Sequence, residues 1–214
     1  MKKKLLAGML ASATVLGMFV AGGTALAASV DSKDSEVGIG FTNHGPGVNP
    51  GPLQIKWAPI KLDFGTTNST AGTTFNEQSG LKKYVVVDDT RGGGTDKWEL
   101  SVGLSNLMSG ATQLTGAQLK FDSVKQGYQG TDAPEAAGSI VAPTGSAAVT
   151  AANFTLAQGA TAVKVMEDGT GGVGTHQGFS ALEMANIQLD VPANAAEAGK
   201  QYAGKLTWSL DDTI

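Results

Sequence analysis

Asp88, Asp89 and Asp96 flank the turn Arg91-Gly92-Gly93-Gly94, and three carboxylates so close together can collect a calcium ion. Calcium loops place their oxygens at regular positions. These three lack that spacing, so the segment reads as a solvated acidic turn. Two histidines, His44 and His176, lie in Gly-rich stretches. A metal site or a catalytic triad needs them to converge with carboxylates or a serine, and no HExxH or GxSxG pattern is present. Gly169 to Gly174 spells G-x-G-x-x-G. A dinucleotide fingerprint requires a helix N-terminus directly after the glycines, whereas Thr175 to Val191 alternate like strands, so this is expected to be a hairpin loop. No carboxylate pair is singled out for sugar hydrolysis. No catalytic residue, cofactor or metal ligand is therefore expected. What remains is aromatic chemistry: Tyr128, between Gln126-Gly127 and Gln129-Gly130, and the tryptophans of Trp98-Glu99-Leu100 and Trp208-Ser209-Leu210.

The elements that must position these residues are strands. Trp98, Leu100, Val102 and Leu104 share one parity, as do Tyr202, Gly204, Leu206, Trp208 and Leu210. A period of two puts each set on one face of a half-buried strand. Large aromatics on such a face belong first to the core and second to a ligand surface, so Trp98 and Trp208 are read as core residues that remain candidate ligand contacts. Tyr128, in a long aperiodic stretch from Ser123 to Ser146, is read as the better-placed exposed stacking residue.

Leu53, Ile55 and Trp57 alternate, as do Ile60, Leu62 and Phe64, and Ala117, Leu119 and Phe121. Lys83 to Asp88 is apolar on both faces, as in a central strand. Asn153 to Leu156 and Ala160 to Met166 read as a hairpin turning near Gln158-Gly159. Between Leu182 and Ile187 the buried parity switches, which predicts a β-bulge near Ala185 or Asn186. Asn43 to Pro52 is a Gly/Pro loop, Gly65 to Gly80 is polar, and Pro192 to Gly199 has room for one helical turn. These features predict an all-β chain, one sandwich or barrel-like domain of about ten short strands.

The paired tripeptides, the second as Tyr202-x-x-x-Leu206-Thr207-Trp208-x-Leu210, resemble those of WxL-domain proteins on Gram-positive bacterial surfaces. Leu62-Asp63-Phe64-Gly65, Leu114-Thr115-Gly116-Ala117, Gly172-Val173-Gly174-Thr175 and Val191-Pro192-Ala193 resemble the family's intervening landmarks. The resemblance covers most of the mature chain. It implies non-covalent attachment to the cell wall, through peptidoglycan. It also implies co-assembly with larger WxL proteins and membrane-anchored WxL-interacting proteins, and contact with host matrix proteins. The rival reading is an interaction subunit that pairs an edge strand with such a membrane-anchored partner and reaches the wall indirectly.

Lys2 to Lys4, the apolar run Leu5 to Val20 and Ala25-Leu26-Ala27 make the three parts of a secretory signal. The expected division is a signal peptide over 1–27, a flexible leader over 28–35 and the β domain over 36–214. Loss of three lysines from the 15 basic residues leaves 12 against 19 acidic ones, a net charge of −7. With no basic run, binding to nucleic acid phosphates or to an anionic membrane surface is not expected, nor is membrane insertion after signal cleavage. No cysteine is present, which excludes disulfide staples and thiolate metal sites. No sorting signal follows Trp208, so covalent sortase anchoring is not expected.

Overall fold

The computed structural model describes residues 29–37, 44–47, 51–92, 96–143, 149–169 and 178–213. The signal segment, His176 and the glycine loop from Thr170 onward lie outside the described residues. The first half contributes β1 (Ser29–Val37), β2 (His44–Pro46), β3 (Leu53–Pro59), β4 (Lys61–Leu62), β5 (Thr74–Asn76), β6 (Lys83–Asp89), β7 (Lys97–Leu104) and β8 (Met108–Ser109). The second contributes β9 (Thr112–Gln113), β10 (Gln118–Tyr128), β11 (Ile140–Val141), β12 (Val149–Ala151), β13 (Phe154–Ala157), β14 (Val163–Asp168), β15 (Gly178–Asp190) and β16 (Gly204–Thr213). No helix occurs among the described residues. Nine of these strands are four residues or longer, close to the ten expected, and of the seven shorter ones β8 and β9 form a two-stranded sheet of their own.

Two sheets enclose one core. The first runs β12-β14-β7-β16-β1-β4 and the second β11-β10-β15-β6-β3-β2, with β13 added on β10 and β5 on β15. Inward residues of both sheets, Leu100, Val102, Trp208 and Leu210 from one and Ile55, Val85, Leu119 and Leu182 from the other, form a single buried cluster. The fold is therefore an all-β sandwich. β6 lies between β15 and β3. It buries Val85 and Val87 in the main core and Val86 in a smaller cluster on the opposite face, as its two-sided apolar pattern requires.

The parity switch in β15 is a bulge. Lys120 pairs with Gln188 and Asp122 with Ala185, so Asn186 and Ile187 stand opposite Phe121 alone. Asn186 takes φ 47°, a left-handed conformation that asparagine tolerates better than most residues. Met184 and Ile187 both reach the core despite their opposite parity.

Elsewhere the fold departs from the sequence pattern. Ser29 to Val37, expected to be mostly leader, is a strand in register with β16 from Asp31↔Leu210 to Val37↔Gly204. The Asn43–Pro52 loop contains β2, which sits on the outer edge of its sheet, where a proline costs no ladder bond. A second bulge, between Ile55 and Trp57, turns Trp57 away from the main core into the smaller cluster. The expected hairpin at Gln158-Gly159 does not form: β13 pairs with β10 and β14 with β7, so the chain arches between sheets. Ser123 to Tyr128 continues β10. Its inward positions after Phe121 are Ser123, Lys125 and Gly127, which removes the apolar alternation without ending the strand. Pro192 to Gly199 makes turns, one closed by the Ala195 N–H on the Pro192 carbonyl at 3.1 Å.

Candidate functional site

The two Trp-x-Leu segments are adjacent strands. β7 and β16 pair antiparallel, with Leu206 opposite Leu104, Trp208 opposite Val102, Leu210 opposite Leu100 and Asp212 opposite Trp98. Trp208 has no exposed surface and Trp98 only 1%. Leu100, Leu206 and Leu210 are buried beside them. The Trp208 indole donates to Ser35 Oγ at 3.0 Å, and that hydroxyl donates in turn to the Pro59 carbonyl. The last strand is thereby tied to the first strand and to the opposite sheet. Trp98 Nε1 has no hydrogen-bond partner among the described residues. Thr207 faces outward, and its hydroxyl donates to Asp34 Oδ1 at 2.9 Å. The tryptophans are the packing centre of the sandwich, so a ligand must bind through other residues.

Accessible polar and aromatic residues converge at one end of the sandwich. Segments from Leu62 to Thr70, around Phe75, at Leu107 and Leu114, and from Ala196 to Ala203 enclose a cleft of about 780 Å³. That volume lies within the range of small-molecule sites, roughly 300–1,000 Å³. Four of the sequence landmarks meet here: Leu62–Gly65, Leu114, Val191 and Tyr202 all line it. Leu107, Leu114, Leu189 and Val191 belong to the main core, and Phe75 and Tyr202 pack against it partly buried.

Local chemistry holds the cleft in shape. The Asn68 amide donates to the Phe64 carbonyl at 2.6 Å and folds the 65–70 loop over the LDFG segment. Asp63 accepts the Gly65 N–H at 2.8 Å and an Nζ–H of Lys61 at 3.4 Å. Behind it, Glu77 meets the buried Lys83 ammonium at 3.7 Å and accepts the Asp63 N–H at 3.5 Å. Buried charges need such partners because isolated ones are costly to desolvate. On the opposite wall, the Glu197 N–H donates to the Tyr202 hydroxyl at 3.2 Å. Gly116 has φ +78°, and a Cβ there would lie 2.9 Å from Pro192 Cγ. Only glycine therefore lets the Leu114–Ala117 and Val191–Ala193 landmarks touch.

Tyr128 is not an exposed platform. It is 4% exposed, ends β10 and stands edge-on to Phe179 at 5.2 Å. Its hydroxyl donates to the Asp132 carbonyl at 2.6 Å and accepts the Trp57 indole N–H at 3.0 Å. Burial pushes its pKa up. The sequence misled because the loop after Tyr128 folds back onto the outer sheet face and covers it. The acidic turn is also otherwise engaged. Arg91 grips both Asp89 oxygens, at 3.0 and 2.8 Å, and also binds Asp212. Asp88 accepts from the Gln54 amide at 3.1 Å. Among the described residues no three His, Asp or Glu side chains are placed to share a metal ion.

A family model described as "WxL domain surface cell wall-binding" matches residues 29–213. No significant match to a curated protein or to a solved structure was found.

Proposed function

Because the chain belongs to the WxL family of surface cell-wall-binding domains, we propose that it is a non-catalytic surface protein held on the Gram-positive wall by non-covalent contact with peptidoglycan. The family places it at the cell surface and assigns it a wall partner; the choice of polymer and of contact surface is this proposal's own. The observation that carries it is the end cleft, where four landmark segments surround an apolar floor with a polar rim. Trp98 and Trp208, buried in the core, serve the fold that carries the cleft and do not line it. Sedimentation of the purified mature chain with protein-stripped peptidoglycan tests the reading. Co-sedimentation that salt or chaotrope reverses is expected, and failure to co-sediment would sink it.

One feature favours the rival. Among the described residues β1 pairs with β4 only at Glu36 and Val37, a short ladder that an incoming strand could extend toward Ser29. In that reading the domain docks by β-augmentation onto a membrane-anchored WxL-interacting protein. Retention on peptidoglycan only when that partner is supplied would favour it.

A further inference from the structure

We propose that the end cleft recognises the glycan backbone of the wall polymer, as uncharged N-acetylated amino sugars, rather than its stem peptide or an anionic polymer. This rests on the peptidoglycan reading above. An amino sugar in its acetylated form offers apolar C–H faces, neutral hydroxyls and an amide. Stem peptides end in carboxylates, and phosphate-bearing wall polymers carry a negative charge on every repeat.

The cleft matches the first of these. Among its lining residues only Asp63, Glu197 and Lys200 are charged, and Asp63 is engaged by Lys61 and the Gly65 N–H. One lysine and one further glutamate in the lining make no cluster of cations for an anion. A carboxylate or phosphate is recognised by clustered cations or paired backbone donors, and the net negative charge of the chain repels polyanions further. The rest of the rim is hydroxyl and amide: Thr66, Ser69, Thr70 and Gln201 are exposed there. These groups form neutral hydrogen bonds with hydroxyl and acetamido groups. The half-buried rings of Phe75 and Tyr202 supply flat apolar surface for a sugar's C–H face, the usual pairing of apolar lining with a few placed polar groups.

The test is competition on the mature chain bound to protein-stripped peptidoglycan. The soluble probes are the β-1,4-linked tetramer of N-acetylglucosamine, its de-N-acetylated cationic counterpart and a glycan-free stem pentapeptide. The acetylated tetramer is expected to displace the protein, and the other two are not. Thr70→Trp, which fills the cleft mouth from an exposed position, is expected to weaken tetramer binding at least tenfold with an unchanged unfolding midpoint. Tyr202→Ala is expected to weaken tetramer binding as well, with a lowered midpoint because the ring packs against the core, so its binding is measured well below its unfolding transition, and Tyr202→Phe is expected to retain binding. Displacement by the stem peptide alone would overturn the inference while leaving the peptidoglycan reading intact. So would equal displacement by the de-acetylated tetramer, or tetramer binding that both cleft variants retain. Absence of binding to intact peptidoglycan would remove the reading and the inference with it.

Discussion

Replacing Trp208 should unfold the domain before it affects recognition. The side chain is fully buried between β7 and β1 and donates its indole N–H to Ser35 at 3.0 Å. Truncating a buried tryptophan to alanine costs ~3–5 kcal/mol through lost burial and the cavity left behind. Total stability is of the order of 5–15 kcal/mol. For a domain of this size each kcal/mol shifts the midpoint by roughly 2–4 °C, so Trp208→Ala should lower it by roughly 6–20 °C. The hydrogen bond separates out in a double-mutant cycle. Trp208→Phe and Ser35→Ala should couple by about 1 kcal/mol, the net worth of one buried hydrogen bond. Trp98→Phe should be milder than Trp208→Phe by a similar margin, because the Trp98 indole N–H is buried without a partner among the described residues. Denaturant unfolding followed by circular dichroism measures all of these. A Trp208→Ala protein with an unchanged midpoint that no longer binds peptidoglycan would refute the core assignment.

Arg91→Met should cost ~3–5 kcal/mol because it strands the buried Asp89 carboxylate without its partner. Asp212→Asn, at the more exposed end of the same cluster, should cost at most about 1 kcal/mol; equal losses in chemical denaturation would contradict this. Tyr128→Ala should destabilise by about 3 kcal/mol and leave peptidoglycan binding of the folded protein intact, so a binding loss at full stability would put Tyr128 back at the surface. The Tyr84 hydroxyl is pushed up to about 12 by burial, with the Glu183 charge and hydrogen bond adding to it. Because its folded pKa is raised, its contribution is complete below pH ~10 and is lost as pH climbs toward about 12. The stability of the wild type relative to Tyr84→Phe should therefore fall between about pH 10 and about pH 12, and a constant difference would contradict the shift.

Alternation made much of this fold legible. Strands such as β7 and β16 bury one face against a continuous core, so their period of two is written in Leu, Val and Trp. The β15 bulge was legible because a slipped register exchanges buried and exposed faces, and Met184 and Ile187 fall on either side of it. β1 was not, because Ser, Asp and Lys dominate it and the pairing that orders it comes from β16, some 170 residues away. Trp57 and Tyr128 were misplaced because a bulge and a folded-back loop are set by tertiary contacts that periodicity does not encode. The cleft was legible only as scattered landmarks. Nothing in Leu62–Gly65, Leu114–Ala117 or Val191–Ala193 tells that they share a wall; that needs the contact between Gly116 and Pro192.

Chemical-shift mapping of the isotope-labelled domain, residues 28–214, titrated with soluble glycan-rich peptidoglycan fragments, tests wall recognition at the end cleft most directly. The backbone amides of Thr66 to Phe75 and of Glu197 to Ala203 are expected to shift, while those of β7 and the centre of β16 stay in place. Saturable shifts confined to Ser29–Ser35, or to any face away from the cleft, would contradict it.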